Sequence, residues 1–185
     1  MSDRHTMKGS AGSARAAGAS ARSTLVVAFA IAAIVFVLDQ LSKLWAENTL
    51  EHNVAQPLVG DILKLRLIYN SGAAFGFGGS ITPIITGVQI GIALAVVVVL
   101  VRSVRSRAWM VSLALLLGGA LGNIVDRLFR APGPLTGHVV DFLELPHWPI
   151  FNVADIAVTT GAVLLVVLTL FNVPLDPREK SEVRA

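Results

Sequence analysis

Two aspartates in this sequence stand where acid–base chemistry on a peptide bond could be done. Asp141 lies in the run Gly137-His138-Val139-Val140-Asp141-Phe142, between apolar neighbours, and reads as part of a short strand. Pro132, Pro134, Pro146 and Pro149 flank that run and limit how far it can wander. Asp155 closes Asn152-Val153-Ala154-Asp155, which reads as a helix start with Asn152 as N-cap and Asp155 in the first turn. Taken alone, that tetrapeptide is accounted for by plain capping. A second acid just across a short loop suggests more. Two carboxylates that face each other cannot both ionise cheaply and so share a proton. One then acts as base on a water; the other stabilises the developing oxyanion and protonates the leaving amine. That would be aspartic-peptidase chemistry. The positive end of its helix favours charge on Asp155, which leaves the proton on Asp141, although the pair titrates jointly.

Other polar groups cluster by spacing. Asn123, Asp126 and Arg127 fall at i, i+3 and i+4 of one helix, after Gly118, Gly119 and Gly122, whose small size permits close helix packing. The cluster reads either as polar glue between helices or as a site in which Arg127 holds substrate carbonyls and Asp126 fixes its guanidinium. Asp39 and Lys43, four apart, read as an ion pair that makes a helix end tolerable; the alternative is a Lys43 that binds a lipid phosphate. His138 and His147 sit in a proline-rich loop with no obvious third ligand, so no metal is expected. There is no cysteine, which removes disulfides and thiol catalysis. The serines form no nucleophile motif.

These residues must be held by elements made for lipid. Of the 185 residues, 54% are apolar and only 15% charged, and the mean hydropathy is +0.71. Crossing a bilayer takes about 20 mostly apolar residues in a helix. Stretches near 24–46, 81–101, 109–128 and 153–171 qualify, giving a single domain over 24–172. The first is read as retained rather than cleaved, because it runs into Asp39-Gln40-Leu41-Ser42-Lys43 without a small-residue cleavage site. Arg4, Lys8, Arg15 and Arg22 precede the first span, Arg102, Arg105 and Arg107 separate the second and third, and Arg178, Lys180 and Arg184 follow the fourth. Positive charge marks the cytoplasmic side, so both termini are expected there, with the longer loops, about 47–80 and 129–152, outside. The net charge of +3 reports this topology and gives no reason to expect a nucleic-acid partner.

The basic stretch 1–23, rich in Ala, Ser and Gly, reads as a disordered cytoplasmic tail, and 173–185 as a second cytoplasmic tail, mobile after Pro174. In the first outer loop, Leu63, Leu65, Leu67 and Tyr69 alternate with Lys64, Arg66, Ile68 and Asn70, a period-2 strand that predicts a small sheet at the membrane surface. Ser71-Gly72 then turns the chain into the glycine-rich segment 73–79, which either brings backbone close to a ligand or is a flexible re-entry loop. The strand and this segment could hold an extended peptide. Asp39, Lys43, Asp126, Arg127 and Asp155 all fall toward the outer ends of the spans, which suits a reaction at the outer interface. A proton-relaying transporter would instead need a mid-membrane ionisable residue and usually a repeat, and neither is visible. A scaffold without activity remains the other rival.

From about residue 24 to 172 the sequence resembles the lipoprotein signal peptidases, or signal peptidase II. The resemblance is carried by Asp39-Gln40 with Ser42-Lys43, by Tyr69-Asn70-Ser71-Gly72-Ala73-Ala74-Phe75, by Gly118-Gly119-Ala120-Leu121-Gly122-Asn123 with Asp126-Arg127, by Gly137 to Phe142, and by Phe151-Asn152-Val153-Ala154-Asp155. It implies four transmembrane helices with a small extracytoplasmic β-cradle, and a protease of the bacterial inner or cytoplasmic membrane. Such an enzyme takes the signal peptide off a prolipoprotein by cutting before the diacylglyceryl-modified cysteine, needs no cofactor, and is inhibited by the cyclic peptide globomycin. The family's catalytic aspartates fall on Asp141 and Asp155. Asn70, Asn123, Arg127 and Asn152 match positions that line or orient the site, and Asp126 matches a polar position beside it. A prolipoprotein and membrane lipid are the partners implied, and nothing demands an oligomer, so a monomer is expected. Two features depart from the pattern. Ile156 stands where members often carry Ser, and the basic tail is longer than in many of them.

Overall fold

A computed structural model describes residues 6–72 and 81–176, with side chains from residue 23 onward. The glycine-rich segment 73–79 and the end of the C-terminal tail, 177–185, lie outside the described residues. Four helices dominate: α1 (Thr6–Thr49), α2 (Thr82–Arg102), α3 (Arg107–Phe129) and α4 (Val153–Leu170). Their apolar stretches, Ser23–Thr49, Thr82–Arg102, Arg107–Phe129 and Val153–Leu170, run to 27, 21, 23 and 18 residues, each long and apolar enough to cross a bilayer.

Two expectations about the tails need correction. Helix α1 begins at Thr6, so residues 6–22 are helical where composition suggested disorder. Ala and Arg are strong helix formers, no proline interrupts the segment, and extending a formed helix costs far less than nucleating one. At the other end, the Leu175 carbonyl accepts from the Arg105 and Ser106 amides at 2.9 and 2.8 Å. The Val173 carbonyl accepts from Trp109 Nε1 at 2.8 Å. The start of the C-terminal tail is thus pinned to the α2–α3 turn, whose free N–H groups need acceptors.

Helix α3 is the axis of the bundle. Buried residues make up 56% of its most apolar window, against 17–22% for the other three, and α1, α2 and α4 all pack on it. Close approach of α4 is possible because residue 119 has no side chain: a Cβ there would stand 2.5 Å from the Ala154 carbonyl oxygen and 2.8 Å from Val158 Cγ2.

At the end of the bundle where α1 and α3 stop and α2 and α4 begin lies a three-stranded antiparallel sheet in the order β1 (Gln56–Val59), β2 (Leu63–Asn70), β3 (Val139–Glu144). The alternating run therefore forms the expected strand. It is the middle one: β1 covers it at Leu63–Leu65 and His52 bridges to Leu67, while Ile68–Asn70, at the end beside Asp141, has no β1 partner. The outer edges belong to β1 and to β3, and β3 is bridged from Leu143 to Phe151. Val140 and Phe142 of β3 pack with Leu67, Ala46 and Leu50 in a small core that seats the sheet on α1. Trp45 meets Phe142 edge-on, with ring centroids 6.3 Å apart. The β2–β3 register pairs Ile68 with Asp141 and Asn70 with Val139, which puts Asn70 beside Asp141.

Candidate active site

Asp141 and Asp155 come from different elements, a buried strand and the first turn of α4. They meet through asparagines. Asn152 is the N-cap of α4: its Oδ1 accepts from the Asp155 amide at 3.0 Å, and Asp155 Oδ2 accepts from the Asn152 amide at 3.2 Å, a reciprocal capping box. Its Nδ2 donates to Asp141 Oδ1 at 2.6 Å. Asn70 Nδ2 donates to the other Asp141 oxygen at 2.8 Å. Asn70 is held in turn by the Gly72 amide, which donates to its Oδ1 at 2.8 Å; Gly72 sits at φ +85°, a turn conformation open to glycine. Asn123 Nδ2 donates to Asp155 Oδ1 at 2.8 Å. Each carboxylate therefore accepts on both oxygens.

The two acids differ in exposure. Asp141 is 2% exposed, whereas Asp155 is half-buried and lines a cavity of about 210 Å³ with Trp148, Phe151, Ile156, Thr159 and Thr160. Burial pushes the Asp141 carboxyl up to about 7; the Asn70 bond opposes this, the charge of Asp155 adds to it, and Asn152 and Lys43 oppose it. Ile156, the residue that departs from the family pattern, is exposed on the cavity side.

Behind this pair lies a buried charge cluster. Lys43 Nζ is 2.8 Å from Asp39 Oδ2 and 2.8 Å from Asp126 Oδ2, and donates to Asn123 Oδ1 at 2.9 Å. Lys43, Asp39 and Asp126 are all fully buried, which removes the alternative of a Lys43 that reaches a lipid phosphate. Asp126 does not fix the Arg127 guanidinium. Consecutive residues on a helix do not face each other. Asp126 instead accepts from Arg130 Nε at 2.8 Å, from Gln40 Nε2 at 3.3 Å and from the Val140 amide at 3.2 Å. Arg127 turns the other way, and its Nη1 donates to the Asn70 and Gly137 carbonyls at 2.9 Å each, tying the end of β2 to the approach to β3. Through Nη1 it grips the protein's own backbone, while its buried Nε has no hydrogen-bond partner among the described residues. Sequence reasoning assigned no role to Gln40, Glu47 or Arg130. Arg130 pairs with Glu47 as well as Asp126, and its position four residues after Asp126 was the signal that could have found it. Among the described residues no three side chains gather as metal ligands.

Four helices long and apolar enough to cross a membrane, with two carboxylates linked through Asn152 at one end, define a multi-pass membrane protein. The family model described as Signal peptidase (SPase) II matches residues 31–171, and the chain belongs to that family. It is accordingly a membrane protease. It is 47% identical over 152 residues to the lipoprotein signal peptidase of Rhodococcus jostii, covering 82% of this chain and 76% of that protein. It is 46% identical over 156 residues to the lipoprotein signal peptidase of Streptomyces coelicolor, covering 83% and 74%. Among solved structures, a bacterial membrane enzyme determined by the in meso method at 1.9 Å superposes with a TM-score of 0.70 at 30% identity, over 78% of this chain and 92% of that one. A second, at 2.3 Å, gives a TM-score of 0.70 at 28% identity, over 79% and 88%.

Proposed function

We propose that this protease removes signal peptides from prolipoproteins, cutting before the diacylglyceryl-modified cysteine, with Asp141 and Asp155 as its catalytic dyad. The observation that carries the assignment is the Asn152 side chain, which donates to Asp141 and caps the helix turn that presents Asp155. In the resting dyad Asp155 is the ionised partner. It accepts from a backbone amide and from Asn123 at a helix N-terminus. Asp141, almost fully buried, carries the proton.

Asp155 takes a proton from water as the hydroxide adds to the scissile carbonyl. Asp141 holds the developing oxyanion by its proton and passes that proton to the leaving amine as the carbonyl re-forms. The dyad is left with one proton, on Asp155, which crosses to Asp141 to restore the resting state. Asn70, Asn123 and Asn152 orient the two carboxylates. Arg127 holds the strand ends around them, and Asp126 with Asp39 and Lys43 sets the helices behind them.

The distribution of lysine and arginine supports a cytoplasmic-membrane location with both termini inside and the dyad near the outer face. That depth suits a substrate whose acyl chains lie in the outer leaflet. The chain is proposed to act as a monomer. The test supplies a lipidated precursor to purified, folded Asp141→Asn and Asp155→Asn. Both are expected to leave it uncut. Full cleavage by either removes the dyad.

A further inference from the structure

We propose that Lys43 is a positioning residue for the reaction, fixing through Asn123 and its two counter-ions how both aspartates are presented. The inference rests on the dyad assignment above and concerns a group that the chemistry does not itself use.

An ammonium has three protons and no acceptor. Lys43 spends all three, on Asp39, Asp126 and Asn123 Oδ1. Because Lys43 can only donate, the oxygen of the Asn123 amide must face it. A flipped amide would set NH₂ against NH₃⁺. The Asn123 Nδ2 is thereby directed at Asp155 Oδ1, 2.8 Å away. The second lone pair of Asn123 Oδ1 is taken by Asn152 Nδ2 at 3.2 Å, and Asn152 is itself fixed by its cap. The whole amide chain therefore runs one way, with donors toward the carboxylates.

The counter-ions extend the effect to the backbone on each side. Asp39 Oδ1 accepts from the amide of Ala154, the residue before Asp155, at 2.9 Å. Asp126 Oδ2 accepts from the amide of Val140, the residue before Asp141. One ammonium thus ties α1 and α3 to the segments that carry the two acids. A buried lysine with two carboxylates is a costly way to join helices, and apolar packing commonly does that as well or better. What apolar packing cannot supply is a donor-only face against Asn123.

The variant Lys43→Met with Asp39→Asn tests this. It removes one charge of each sign from the cluster, keeps Asp126 paired with Arg130, and leaves an oxygen at residue 39 for the Ala154 amide. Glu47 and Gln40 are the other polar groups facing the cluster. With the fold intact by thermal melting, kcat on a lipidated precursor is expected to fall on the order of a hundredfold, as misplaced reacting groups do, with KM within about twofold. Unchanged kcat in a folded variant would overturn the inference, as would a rise in KM that accounts for the whole loss. Asp155→Asn, assayed beside it, separates the two readings: if that variant is inert while the double variant is fully active, only the role of Lys43 fails. If Asp155→Asn cuts normally, the dyad itself fails.

Discussion

Asn152 Nδ2 donates to Asp141 Oδ1 at 2.6 Å, and the same side chain accepts the Asp155 amide as the cap of α4. One residue thus serves a helix end and a carboxylate on a separate strand. These two jobs can be separated. Asn152→Asp keeps an oxygen for the cap but replaces the donor to Asp141 and Asn123 with a buried negative charge, which costs stability of its own. Asn152→Ala loses both, at about 1 kcal/mol for the cap. Peptidase assays should find both variants strongly impaired, and thermal melts should show both destabilised, Asn152→Ala by the lost cap and Asn152→Asp by the buried charge, the latter relieved as pH falls. A fully active Asn152→Asp would mean that the amide does not hold Asp141.

The raised Asp141 carboxyl has consequences of definite sign. Its folded value of about 7 lies above its ordinary value of 3.8. Between those limits the folded protein holds a proton that the unfolded chain has released. Asp141 therefore contributes stability that is fully present below about pH 4 and is lost as pH rises through about 7. Melting temperature followed from pH 5 to pH 8 should fall more for the wild type than for Asp141→Asn. With Asp141 as the proposed acid of a jointly titrating dyad, the alkaline limb of the rate profile should begin near neutrality. Equal pH slopes for the two proteins would contradict the assignment.

Gly119 sets the distance between α3 and α4. In Gly119→Ala the new methyl would meet the Ala154 carbonyl, which is backbone and cannot swing away. Helix α4 must shift, at roughly 1–3 kcal/mol for an overpacked contact. Ala154 precedes Asp155, so activity should fall along with the melting temperature. A variant with wild-type melting and rate would show that α4 can move without disturbing the dyad.

Much of this protein is legible in its sequence because lipid imposes simple demands. An apolar run long enough to cross the bilayer needs no tertiary partner to be recognised, and the described spans begin and end within a few residues of the runs. The alternation over 63–70 became a strand, and Asn152 with Asp155 became a capping box, because both signals are local. The Asp39–Lys43 pair followed from i, i+4 geometry. The reading of Asp126 as the partner of Arg127 failed on that same geometry, which favours Arg130.

By itself, then, the sequence determined which segments are long and apolar enough to cross the membrane, and where strand and cap form. All of these depend on periodicity and on neighbours a few residues away. Only the tertiary structure decided that Lys43 bridges Asp39 and Asp126, that Arg127 Nη1 binds the Asn70 and Gly137 carbonyls, and that β2 is the middle strand. Those outcomes hang on how closely three helices and a strand approach one another. That closeness comes from packing around α3, between residues far apart in the chain, where no local pattern records the partner.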